Sequence, residues 1–456
     1  MNNNQRGVLI RGVFLLIGSC VLCGASAFSQ SFSSQDRDRG ITMLKIIKDD
    51  ISKHYYDPAF HGIDLDARFN LAESRIKLTK SNAEVFGVIA QVLLDFNDSH
   101  TAFIPPQRQS GIEYGWLMKM FGDTGYVTEV KPHSDAEAQG LKAGDEVLSI
   151  DGIRPTRSNI WIYYYLYYQL APRPVVKITV QSPGEPSRQL EVKAKIQMGK
   201  RTVDLTDTID LNKYLREEED DAMMSVQRFS TVGDDLIIWK MSQFNLARDD
   251  VDGQIDKVKK HRALILDLRG NLGGAEETLL RLIGNLCDHD VTVGELKRRK
   301  ETKPLIAKTR GQGGFKGKVV VLVDSESASA AEVLARVLQL EKRGVVLGDR
   351  TSGKVMRSRF YPHEMGVDTV IMYGASITDA DIIMSDGVSL EGAGVTPNLL
   401  LLPRAADLRA HQDPVLSGAA SLLGVKLDPV EAGKLFPLAR IKSLVVQTET
   451  VDLRTR

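Results

Sequence analysis

Ser329 and Lys354, 25 positions apart, are the residues of this 456-residue chain best suited by type and context to covalent chemistry. A serine hydroxyl becomes a useful nucleophile only when a base takes its proton. A lysine can be that base where burial disfavours its ammonium form. Ser329 falls at a junction between elements. Val319 to Val323 is an apolar β-branched run that reads as a buried strand, Asp324 to Ser327 is a polar turn, and Ala330 to Leu340 repeats apolar residues at helical spacing. The free N–H groups and positive dipole end of a helix start favour negative charge that develops there. Beyond Gly344, Val345 to Leu347 reads as a second strand, and Thr351-Ser352-Gly353 turns to deliver Lys354. Local physics alone favours the plainer reading, a helix-capping serine and a solvated lysine, since both residues are common in those roles.

The order of motifs separates the two readings. Ser327-Ala328-Ser329-Ala330-Ala331-Glu332, followed by a strand and Gly348-Asp349-Arg350-Thr351-Ser352-Gly353-Lys354, resembles the catalytic core of the S41 peptidases, the carboxy-terminal processing or tail-specific proteases. The resemblance implies that Ser329 is the nucleophile and Lys354 its base, with Ser327 two positions too early. Asp267-Leu268-Arg269-Gly270-Asn271-Leu272-Gly273-Gly274 resembles the family's D-L-R-x-N-x-G-G signature. Glycines after a parallel strand let the backbone approach a substrate. One N–H from Gly273 or Gly274, with that of Ala330, would form the oxyanion hole. A phosphate cradle is disfavoured, because G-x-G-x-x-G and a following P-loop lysine are both missing there. Leu390 to Asn398, LEGAGVTPN, resembles the family's closing segment, with Asn398 where an acid is common. Four residues after the lysine the family usually carries a glutamine that orients it, and this chain has Ser358. Either Ser358 or Glu332, the acid of the nucleophile motif, is expected to support Lys354, with His363 and Glu364 as weaker candidates.

Two other motifs invite chemistry and are read as structural. His100, in Asn97-Asp98-Ser99-His100-Thr101, is expected to be a turn histidine bonded to backbone, since the family's base is a lysine. Ser74-Arg75-Ile76-Lys77 fits an S-x-x-K pattern but lies within an amphipathic helix lacking any oxyanion signal.

The surrounding elements must position these groups. The implied fold is α/β, a ClpP/crotonase-like protease core with an inserted PDZ domain and an N-terminal helical segment. Residues 1–27 read as an export signal, with Arg6 and Arg11, a short apolar core and Ala25-Ser26-Ala27 as cleavage site. The alternative is a lipoprotein anchored through Cys20. Removing residues 1–27 leaves a net charge of −2, which gives no nucleic-acid footprint. Cys287 would then be a lone, buried structural thiol. Residues 38–106 are expected to be helical. Residues 111–196 resemble a PDZ domain through Gln139 to Gly152, QGLKAGDEVLSIDG. Such domains receive a peptide C-terminus by strand addition, which points to Gly115, Trp116 and Leu117. Trp161 to Tyr168 is expected as the helix flanking that groove, its aromatics serving packing. Residues 197–235 read as a linker or cap containing the acidic run Glu217 to Asp221. The protease core spans 236–402, and 403–456 is a helical tail and candidate homo-oligomer contact.

The function this implies is an exported, periplasmic or secreted, serine endopeptidase. Its Ser-Lys dyad would act on polypeptides with exposed C-termini, without metal or organic cofactor and without a transmembrane helix after processing. Two rivals remain: a catalytically inactive PDZ-bearing scaffold, motivated by the missing glutamine, and a crotonase-like acyl-CoA enzyme, which an export signal disfavours.

Overall fold

The computed structural model of the protein describes residues 32–106, 110–198, 227–366 and 371–436. The export-signal reading of residues 1–27 and the acidic run at 217–221 lie outside the described residues. Three helices open the chain: Ser34–His54, Leu65–Ile76 and Asn82–Leu94. Ser33 and Asp36 form a capping box at the start of the first. Its Met43, Leu44, Ile47 and Ile51 are buried, and Val85, Ile89, Val92 and Leu93 of the third face them in one core.

Next come β1 (Ala102–Ile104), β2 (Ser110–Glu113), β3 (Trp116–Phe121), β4 (Thr124–Val130), β5 (Glu146–Ile150), β6 (Val175–Gln181), β7 (Arg188–Lys193) and β8 (Lys195–Met198). β3 to β7 form an antiparallel five-stranded sheet in sequential order, so β3 is an edge, while β2 and β8 pair separately. The helix Ile160–Tyr164 runs on as a π-turn to Leu170. Its buried Ile162, Tyr165 and Leu166 belong to the same contiguous core as the N-terminal helices. The Tyr165 hydroxyl donates to the Phe103 carbonyl at 2.5 Å.

From residue 228 the order is β9 (Arg228–Val232), β10 (Leu236–Lys240), helix Arg248–Val258, β11 (Ala263–Asp267), helix Glu276–Leu286, β12 (Val291–Arg298), β13 (Thr302–Ala307), β14 (Lys318–Val323), helix Ala330–Leu340, β15 (Val345–Gly348), β16 (Arg357–Met365), β17 (Ile371–Met384) and β18 (Leu399–Leu400). A six-stranded sheet has the order β18-β15-β14-β11-β10-β9 and is parallel except for β9. Its central strands β10, β11 and β14 are almost wholly apolar because both faces are covered. Helices Arg248–Val258, Glu276–Leu286 and Ala330–Leu340 pack on one face. Pro414–Leu422 and Pro429–Leu435 pack on the other.

One expectation changes. The stretch expected as linker up to residue 235 supplies β9, with Leu236 opposite Val232 and Phe229 stacked 5.4 Å from Trp239. β10 stops at Lys240, and Phe244 bridges to Gly274. A second core sheet joins β1, β17, β12 and β13, with β16 paired to β17. None of the described helices is long and apolar enough to cross a membrane.

Candidate active site

Ser329 sits between β14 and helix Ala330–Leu340, as its flanking residues dictate. Its backbone has φ 55° and ψ −121°, a conformation that favours glycine. Such a kink lifts the side chain clear of both strand and helix. The glycine turn lies directly opposite. A Cβ placed on Gly273 would come 2.6 Å from Ser329 Cβ and 3.0 Å from the Ala330 nitrogen. One on Gly274 would strike the Phe244 carbonyl oxygen at 2.3 Å. Both glycines have positive φ, 99° and 138°. The Ala330 N–H opens a helix and has no intrahelical acceptor. The Gly273 N–H donates to Asn271 Oδ1 at 2.8 Å, so an oxyanion would have to draw it away from that amide.

Glu332 ties nucleophile and base segments together. Its Oε1 accepts from Thr351 Oγ1 at 2.5 Å and the Gly353 N–H at 2.7 Å, and its Oε2 from the N–H groups of Lys354 at 2.9 Å and Ser329 at 3.1 Å. The Ser329 N–H also meets the Lys354 carbonyl at 2.8 Å. Glu332 thus supports the backbone at both Ser329 and Lys354. Burial pushes its carboxyl upward, against those hydrogen bonds.

Lys354 is half-buried. Burial lowers its pKa below the ordinary lysine value, opposed by Glu391, Glu332 and Glu326. Its Nζ lies 5.6 Å from the centre of the Trp161 ring, within cation–π range. No hydrogen bond joins it to Ser329 Oγ among the described residues. Ser358 makes no hydrogen bond to Lys354 among the described residues. A bulge between Arg357 and Ser358 shifts the β16 register, and the Ser358 hydroxyl receives one from Ser376 at 3.0 Å. His363 pairs with Asp50 at 2.6 Å, in the N-terminal helix. Ser327 is ruled out as rival nucleophile, being fully buried with its hydroxyl given to the Leu268 carbonyl at 2.8 Å.

Sequence reasoning missed Ser99 and Glu391. Glu391 accepts from the Ser99 N–H and hydroxyl, both at 2.9 Å, and from the Val355 N–H at 2.9 Å, beside Lys354. Burial raises its carboxyl to about 7. His100 Nδ1 lies 2.7 Å from Ser99 Oγ. Its ring therefore bonds a hydroxyl and not the backbone, unlike the turn histidine expected. Burial, with Lys354 adding to it against Asp98, pushes the imidazole down to about 4. The signal available was a polar turn at 97–101 between a helix and β1, and a lone acid in the glycine-rich turn at 390–394.

Of the other expected residues, Gly115 and Trp116 are buried and Leu117 is half-buried on β3. Cys287 is buried, which raises its thiol to about 11.

The sequence model of peptidase family S41 matches residues 236–401, which hold the glycine turn, Ser329, Lys354 and Glu391. Residues 236–401 are thus an S41 peptidase region, and the chain is a serine-type peptidase whose relatives carry matching names. This S41 peptidase is 25% identical over 374 residues to the chloroplastic C-terminal processing peptidase of Tetradesmus obliquus, covering 77% of this chain and 75% of that one. It is 27% identical over 293 residues to a carboxyl-terminal-processing protease of Picosynechococcus, covering 60% and 64%. Against the tail-specific protease of Haemophilus influenzae it is 23% identical over 312 residues, covering 65% of this chain and 42% of that one. Among solved structures, mature CPAF complexed with lactacystin matches this S41 peptidase with a TM-score of 0.60 at 13% identity, over 82% of this chain and 96% of that chain. The two share a mixed α/β fold.

Proposed function

We propose that this chain is an endopeptidase that cleaves polypeptides with Ser329 as nucleophile. Ser329 Oγ attacks the peptide carbonyl as its proton passes to a base. The oxyanion is held by the Ala330 N–H and one from the Gly273-Gly274 turn. The base returns the proton to the leaving amine, and water hydrolyses the acyl-enzyme. The observation that carries this reading is the strained Ser329 backbone pressed against Gly273 at a helix start. Incubating the protein with an unfolded polypeptide should release fragments, and Ser329→Ala should release none. Fragments formed undiminished by that variant would remove Ser329 from the mechanism. A wild type that binds C-terminal peptides but never cuts would favour the inactive scaffold.

Lys354 is the proposed base, since burial favours its neutral amine. The Ser99–His100–Glu391 chain supports a second reading, in which the neutral imidazole takes the proton. The pH profile of kcat/KM separates them. A lysine base gives a rising limb on the alkaline side, below the ordinary 10.5 of lysine. A histidine base gives one near pH 4. Loss of turnover in Lys354→Met with His100→Ala still active would fix the choice on lysine, and the reverse result on histidine.

We further read the β3–β7 sheet with its aromatic helix as a PDZ-type domain that receives substrate C-termini at Gly115, Trp116 and Leu117, and residues 1–27 as an export signal. Cleaving a substrate and the same substrate with an amidated C-terminus at equal rates would count against the first. Recovery of the natural host's protein with residues 1–27 intact in the cytoplasm would count against the second.

A further inference from the structure

The turn that leads into Ser329 does not stand on the protease core alone. β3 is an edge strand of the five-stranded sheet, and its free edge meets that turn. Ser325 Oγ donates to the Met120 carbonyl at 2.5 Å. One residue back, Lys119 reaches across with its side chain only 11% exposed. Its Nζ lies 2.8 Å from Asp324 Oδ2 and 2.6 Å from Glu326 Oε2. On β3 itself, Tyr164 covers the Met118 carbonyl at 2.8 Å, so the edge is filled on either side of Lys119.

Asp324 is the pivot. Its other oxygen, Oδ1, accepts the N–H groups of Gly270 at 2.9 Å, Glu326 at 3.0 Å and Ser327 at 3.1 Å. Gly270 belongs to the glycine turn and Ser327 to the nucleophile turn. One buried carboxylate therefore sets the separation of the two halves of the oxyanion hole. A carboxylate that far from water needs a cation to stay ionised, and the cation that touches it is Lys119. Lys240 lies close enough to act on Asp324 electrostatically but spends its own hydrogen bonds on Asp267 and the Arg269 carbonyl.

We propose that Lys119 is a positioning residue for the reaction: reaching in from another sheet, it holds Asp324 and Glu326 so that the glycine turn and Ser329 keep the spacing the oxyanion needs. This rests on Ser329 being the nucleophile. Misplacing reacting groups by about an ångström costs on the order of 100-fold in rate. The full-length protein is tested as Lys119→Met, Lys119→Arg and the milder Ser325→Ala. Turnover of an unfolded polypeptide should drop in kcat by on the order of 30-fold for Lys119→Met, with KM within about twofold. Lys119→Arg, which keeps the charge, should recover most of that loss, and Ser325→Ala should lie in between. Amide hydrogen exchange over residues 324–330 gives a readout independent of turnover. It should quicken at least about tenfold in Lys119→Met, return towards the wild-type rate in Lys119→Arg, and quicken less in Ser325→Ala. Unchanged exchange in Lys119→Met would overturn the proposal even in a protein that never cleaves. Should Lys119→Met not fold, unchanged exchange and kcat in Ser325→Ala would do the same. A wild type with no turnover, but with the expected exchange pattern, would count against the proteolytic reading alone.

Discussion

At the level of single residues, Gly273 carries the constraint that bears most directly on Ser329. Gly273→Ala would set a methyl 2.6 Å from Ser329 Cβ and force alanine into φ 99°. Either the nucleophile or the glycine turn must then move. We expect at least a 100-fold loss in kcat, at a stability cost of about 1–3 kcal/mol. Steady-state kinetics with a thermal melt measures both, and a loss of less than threefold would mean the hole lies elsewhere. Ser329, Lys354 and the glycine turn were legible in the sequence because each falls within a short contiguous motif. Ser99 and Glu391 were not, because 292 residues separate them and only the fold joins them. The surroundings of Ser358 were not legible either: a bulge between Arg357 and Ser358 shifts the β16 register, and its hydroxyl accepts from Ser376 on β17.

Among elements, the 98–101 turn is the one that anchors the site to the N-terminal helices. Asp98 accepts from Tyr55 at 2.8 Å, Thr378 Oγ1 at 2.7 Å, and the N–H groups of His100 and Thr101 at 2.9 and 2.7 Å. Ser99 then fastens this turn to Glu391 in the 390–394 turn. Glu391 titrates near 7 in the folded protein against an ordinary 4.5. The folded state holds that proton more tightly, so the group adds stability below pH 4.5, and the contribution fades as pH rises through about 7. Compared with Glu391→Gln, the wild type should therefore lose melting temperature between about pH 5 and pH 8. A constant difference between the two melts across that range would contradict this. Helix Ala330–Leu340 was readable to the residue from its amphipathic spacing. β9 was not, since it is a short edge strand just after a long charged stretch.

Taken whole, the molecule has one continuous core beneath the N-terminal helices and the five-stranded sheet, and two more on the faces of the parallel sheet. The dependence of the five-stranded sheet on its neighbours was not readable from QGLKAGDEVLSIDG, because the shared contacts come from distant residues. Arg409 reaches it from the C-terminal segment, pairing with Asp145 at 3.1 Å. Arg157 extends from it to Asp349 at 3.0 Å and to the Thr351 carbonyl at 2.9 Å. A fragment of residues 110–198 alone would expose its side of the common core. It should unfold without a cooperative transition, whereas 32–198 should show one. A sharp melt of the shorter fragment would show the sheet to be autonomous. The left-handed backbone at Ser329 has an evolutionary corollary. Glycine is the residue that this kink would relax, so a lineage selected only to withstand heat would drift towards Gly at position 329. If Ser329 is the nucleophile, as proposed, the serine persists only while cleavage itself is under selection, which makes its presence in a population a record of use.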